Sequence, residues 1–210
     1  SLLKRTSAIL EEAESEKTAG GESKARPDFF QHSLPFVFKS FPCRAQKASD
    51  FATRLNSVRN FKSNLVLIGV EGAPFQEVCN DLKGFDPESG DAYVILQPDD
   101  ITPENIIQQY VEAEKAGAER LNYVFLDLVK TTAEQRKSIA ALTKKMNPFG
   151  GIKVPLRFVY CLNDSVDSLF ESGSIDDEIY LLVGTNEVNI PELSDIRDDV
   201  PLLAQTFLND

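Results

Sequence analysis

Histidine is almost missing from this 210-residue chain, with His32 its only representative. A single imidazole argues against His-rich metal sites and most Ser-His-Asp chemistry. Cysteine is scarce as well. Cys43, Cys79 and Cys161 are too few and too scattered for a disulfide framework and point to a reducing cytoplasm. Long apolar runs are absent. The best, Leu65 to Val70 and Tyr123 to Leu126, fall far short of the ~20 residues that span a bilayer, so no membrane partner is expected. The first residues lack an apolar core followed by a small-residue cleavage site, and no signal peptide is expected. What is present, 42% hydrophobic and 26% charged residues, is ordinary for a soluble globular domain, with or without one appendage.

Positive charge is in deficit, but unevenly. The net charge is -11, yet residues 1–62 hold 11 Lys and Arg against 7 Asp and Glu. The remaining 148 residues hold 11 against 26. So acidic a body is a poor ligand for a phosphate backbone, because nucleic-acid affinity rests on cations that displace counterions. No direct nucleic-acid binding is expected, and the first sixty residues are expected to do a different job from the rest.

The chain divides accordingly. Residues 1–27 read as an N-terminal helix over 2–18 and a flexible linker over Thr18 to Pro27. Residues 28–210 read as the main domain. Helices are expected over 44–59, 103–116 (with Thr102 as N-cap), 133–146 and 164–171. Strands are expected over 64–69, 92–96, 123–127 and 156–161, with a last apolar run at 187–190. Apolar strands alternating with helices predict an α/β three-layer sandwich with a central parallel sheet. Glu178 to Val183 reads locally as a strand by its β-branched and aromatic content.

In such a fold, phosphate would bind in the loop after the first strand. That loop reads Gly69-Val70-Glu71-Gly72-Ala73-Pro74-Phe75-Gln76. A working phosphate loop, G-x-x-x-x-G-K-[ST], needs amides curled around the phosphates, a lysine for the outer oxygens and a hydroxyl for magnesium. Here the first glycine remains. Pro74 stands at the second-glycine position without an N–H, and Phe75 replaces the lysine. Alone, the segment reads as a strand-to-helix turn. Asp127 ends the third strand, where an acid could organise magnesium or merely cap a loop. Asn163 follows the fourth, where it could face a phosphate or simply make a turn with Asp164.

The C-terminal stretch Asn189-Ile-Pro-Glu-Leu-Ser-Asp-Ile-Arg-Asp-Asp-Val-Pro-Leu-Leu-Ala204, with Gln-Thr-Phe-Leu208, resembles the R-L-P-P-L-R-E-R-x-E-D-I-P-L-L-A-x-x-F-L segment of the sigma-54-dependent transcription activators. These are NtrC-like enhancer-binding proteins of bacteria with an AAA+ ATPase domain. Gly173 to Tyr180 resembles their G-R-F-R-E-D-L-Y, Leu156 to Asn163 the strand ending A-A-T-N, Val124 to Asp127 the L-F-L-D strand, and Leu67 to Gly72 the phosphate loop. The resemblance spans residues 36–208 and implies a P-loop NTPase (AAA+) like fold, with residues 178–183 a short helix. It implies that Gly69, Gly72, Asp127 and Asn163 are the remains of a nucleotide site. The departures fall on its charged positions. Phe75 stands for the lysine and Leu128 for the catalytic glutamate. Ser174, Asp176 and Leu182 stand where the family has arginines that reach a neighbouring subunit's ATP. The sigma-54-engaging G-A-F-T-G-A loop is missing, shortened to helix 103–116, and the chain ends before the family's helical lid.

The expectation is therefore a pseudo-ATPase, with no catalytic residue, metal or cofactor, serving as a regulatory or protein-interaction module in bacterial transcription or signalling. Its partner would be a protein or an adjacent signalling domain. Without arginine fingers, a monomer or dimer is expected over a hexamer. The alternative is a domain that still holds ATP or ADP without efficient hydrolysis. A third reading, an enzyme using Cys161 or Cys79, lacks any nearby base or cation in sequence. His32 suits a packing or surface role. Pro191 to Asp199 could form an acidic cation site, but reads better as a solvated loop and helix start.

Overall fold

The computed structural model describes residues 44–59, 61–84, 90–143, 153–183 and 186–209. The helix and linker expected within 1–27, together with His32, Cys43 and the end of the helix expected to reach 146, lie outside these residues.

The chain runs α1 (Gln46–Val58), β1 (Leu65–Ile68), α2 (Phe75–Gly84), β2 (Asp91–Leu96), α3 (Pro103–Lys115), β3 (Arg120–Phe125), α4 (Ala133–Thr143), β4 (Leu156–Leu162), α5 (Val166–Glu171), α6 (Asp177–Val183), β5 (Glu187–Asn189) and α7 (Val200–Asn209). Short 3₁₀ turns occupy Pro98–Asp100 and Leu128–Lys130. The five strands form one sheet in the order β2-β3-β4-β1-β5, every pair parallel.

This order explains the layering. The chain steps from β1 to the far edge at β2, then returns through β3 and β4 and passes β1 to reach β5. Right-handed crossovers place the first connection on one face of the sheet and the later ones on the other. The core divides the same way. Phe51, Ala52 and Leu55 of α1, Val78 and Leu82 of α2, and Leu203 of α7 pack on Leu65, Leu67, Val124 and Val159. On the opposite face, Ile106 and Tyr110 of α3, Ile139 of α4, Leu169 of α5 and Ile179 of α6 pack on Val66, Tyr123, Phe125 and Tyr160. Strand residues alternate between the two faces, as a pleat requires. Tyr123, Phe125, Phe158 and Tyr160 form a stacked aromatic layer, with neighbouring centroids 5.8–6.4 Å apart.

The expected elements form, with shifts. The third strand starts at Arg120, earlier than expected, and ends at Phe125; Asp127 lies in the following turn. Thr102 caps α3, its side chain accepting from Asn105 N at 3.2 Å. Residues 177–183 are helical, with Ile179 and Val183 turned into the core, so helical packing overrides their local β preference.

Candidate functional site

In an open parallel sheet the crevice lies at the carboxyl edge, where helices leave adjacent strands toward opposite faces. Here α2 leaves β1 for one face and α5 leaves β4 for the other, so the crevice lies between the Gly69 loop and Asn163. Gly69 N–H donates to Leu162 O at 3.0 Å, which places Gly69 beside Asn163. Asp127 follows β3, the other neighbour of β4, and lies close enough to Cys161 to act on its thiol. The strand ends thus bring Gly69, Asp127 and Asn163 to one edge.

The loop itself is closed. Ala73 N–H donates to Val70 O at 2.9 Å and Phe75 N–H to Ala73 O at 2.8 Å, while Pro74 has no N–H. The amides that a phosphate loop would offer at these positions are therefore engaged or missing. Side chains complete the closure. A Cβ placed on Gly69 would lie 2.6 Å from Ala73 Cβ and 3.2 Å from Phe75 Cζ, so both side chains crowd the glycine. Ala73 and Phe75 pack against the core cluster below. Gly72, at φ 84°, supplies the left-handed apex and faces open space.

Asp127 is also left-handed, at φ 49°, and its carboxylate pairs with Lys130 Nζ at 3.2 Å. Leu128, which the resemblance aligns with the catalytic glutamate, is wholly buried. Asn163 is exposed. Below the edge, burial pushes the Cys161 thiol well up, helped by contact with Cys79 and then by the charge of Asp127. A buried thiol held protonated is no nucleophile.

The positions matched to arginine fingers have other work. Asp176 Oδ1 accepts from Ile179 N at 3.0 Å at the start of α6, and Oδ2 accepts from Arg136 Nε at 3.2 Å. The backbone amide and then Arg136 hold this carboxyl below the usual range. Ser174 Oγ bonds Ser172 Oγ at 2.9 Å. Leu182 lies within α6.

A groove of about 600 Å³ opens beside Gly69, between α1 and the ends of β1 and β5. Its charged lining is Asp50, Glu187, Glu192 and Asp195 against Lys47 and Arg54, and Lys47 is paired with Asp195 at 2.5 Å. This excess of carboxylates repels a polyphosphate.

Sequence reading missed Asp199. Within a segment read as solvated, this aspartate is fully buried, its carboxylate accepting from Arg44 N at 2.8 Å and Ala45 N at 3.1 Å. It ties the start of α7 to the start of α1 and is no cation ligand. Among the described residues, no group of three or more His, Cys, Asp or Glu could hold a metal, and no helix is long and apolar enough to cross a membrane.

Sheet order and structural likeness define the class: this is the P-loop NTPase fold in its AAA+ form. The structure of NtrX from Brucella abortus in complex with ATP superposes at a TM-score of 0.61 and 16% identity, covering 79% of this chain and 40% of NtrX. The NtrX complex with ADP gives 0.63 and 15%, covering 98% and 46%. A point variant of RuvB from Thermotoga maritima gives 0.50 and 6%, covering 76% and 49%. The P-loop NTPase (AAA+) like fold implied by the resemblance is borne out. An uncharacterised protein in the HyuA 5' region of Pseudomonas sp. strain NS671 is 31% identical over 68 residues, 31% of this chain and 23% of that protein. The chain thus spans less than half the length of NtrX and about a quarter of the Pseudomonas protein. No family model matches it.

Proposed function

We propose that this chain is a catalytically inactive AAA+-like domain, a pseudo-ATPase that acts as a regulatory or protein-interaction module in bacterial transcription or signalling. The closed loop carries the reading. Pro74 and Phe75 replace the glycine and lysine, and the Ala73 and Phe75 amides are bonded within the loop. With three amides of the loop engaged or missing and no cation, the triphosphate loses ground-state and transition-state contacts. Leu128 provides no base, and Asp176 would repel a neighbouring subunit's phosphates. The domain works in the cytoplasm as a monomer or dimer, through a protein partner or an adjacent domain, and requires no cofactor.

Residual ATP or ADP binding without hydrolysis is the second reading, favoured by Gly72, whose left-handed backbone and open surroundings keep one phosphate-loop feature. One experiment separates them. Isothermal titration with Mg-ATP and Mg-ADP should give no binding heat, phosphate release should stay at background, and melting should not shift. A ligand at 100 times its Kd would add about 2.7 kcal/mol of stability, so even modest binding is visible. Micromolar binding without turnover establishes the second reading; steady turnover overturns both.

A further inference from the structure

From Phe158 to Ile196 the chain has nine Asp and Glu and no Lys, Arg or His. Six of those acids fall between Asp164 and Val183, the segment that builds α5 and α6. Arg136 of α4 reaches Asp176. On this acidic hairpin three apolar side chains are exposed. Ile179 and Val183 take α6 into the core, which leaves Tyr180 and Leu181 turned outward. Leu181 is 81% exposed, and Phe170 and Tyr180 are each 37% exposed. The Phe170 and Tyr180 rings lie 4.5 Å apart, and Tyr180 Oη donates to Asp167 Oδ1 at 2.9 Å, so the aromatic pair is held in place. Exposed apolar residues rimmed by charge mark interaction sites.

We propose that the α5–α6 hairpin docks a protein partner bearing a cationic amphipathic segment, its apolar side chains on Phe170, Tyr180 and Leu181 and its lysines or arginines on the acidic rim. The charge selects this occupant. A second copy packed face to face would bring the same acids into register and repel. Nucleic acid and anionic membrane are repelled likewise. A cationic segment is attracted, and its guanidinium or ammonium groups can also stack on the aromatic pair. The inference rests on the protein-interaction reading above and names the chemistry of the partner.

The test is fluorescence anisotropy of the full chain with a labelled amphipathic Leu/Lys/Arg peptide, and with its counterpart carrying Glu at every Lys and Arg. The cationic probe should bind at least about tenfold more tightly than the acidic one and weaken as salt rises through the ~10 Å screening range. Glu171→Lys and Leu181→Ser, both at exposed positions, should each weaken it at least about fivefold with melting unchanged. Equal binding of the two probes, no binding, or indifference to both substitutions overturns the proposal. So does light scattering that shows a dimer which Leu181→Ser dissociates, because the face then belongs to a second copy. Mg-ATP titrated into the same samples tests the pseudo-ATPase reading separately, since nucleotide binding defeats that reading and leaves the probe result standing.

Discussion

Asp127 is the non-glycine residue with a left-handed backbone among those described. An L-residue pays roughly 1–2 kcal/mol for that region, and Asp is among those that tolerate it best. Its carboxylate makes one exposed ion pair with Lys130, which contributes little. Asp127→Gly should therefore leave the urea midpoint unchanged or raise it, while Asp127→Val should cost about 1 kcal/mol or more through its β-branch. A large loss with glycine would show that the carboxylate holds the turn together. The positions of Gly69, Asp127 and Asn163 were legible because each follows a strand in a recognisable pattern. The closure of the loop was not. It depends on where the Phe75 ring lies and on bonds between neighbouring amides and carbonyls, neither of which a motif records.

Helix α1 shows the same division at the scale of an element. Its buried face, Ala48, Phe51, Ala52, Leu55 and Val58, follows helical spacing and can be read directly. Its ends cannot. Ala45 makes no side-chain cap, and neither terminal turn carries a charge of the helpful sign. Both ends are completed from far along the chain. Asp199, some 155 residues away, receives the amides of Arg44 and Ala45. Arg157 donates to Val58 O at 2.9 Å, Arg59 O at 2.8 Å and Ser63 O at 3.2 Å. An anion at the amino end and a cation at the carboxyl end also suit the helix dipole. Asp199→Ala and Arg157→Met should each lower unfolding free energy by about 2–4 kcal/mol, because buried backbone groups lose charged partners. Urea denaturation with unchanged m-value measures this; losses under about 0.5 kcal/mol would show that the clamps are incidental.

For the whole molecule, the parallel sheet and three layers were legible because apolar strands and helices alternate along the sequence. The charge deficit was legible too, but its concentration around one exposed aromatic pair required the fold. Buried and half-buried phenols give the molecule a definite alkaline response. Burial pushes Tyr93 up to about 12, with the charges around it making smaller contributions, and burial also raises Tyr123 and Tyr160. An unfolded tyrosine ionises near pH 10. The unfolded chain therefore loses protons first, and stability present below about pH 10 falls as pH rises toward 12. Unfolding monitored by circular dichroism should show that slope, and Tyr93→Phe should reduce it. An identical slope in the variant would remove Tyr93 from the account.

The sheet order also dictates when the molecule can form. The interior strand β1 has no neighbour close to it in sequence, since Leu65 pairs with Val159 and Val66 with Glu187. During synthesis, β2, β3 and β4 can assemble in succession, while β1 must wait until β4 has left the ribosome. Closure across so long a loop is slow, and an unpaired apolar strand is prone to aggregate meanwhile. Substitutions that weaken the β1–β4 pairing should therefore reduce the yield of folded protein in cells more than the stability of molecules already folded.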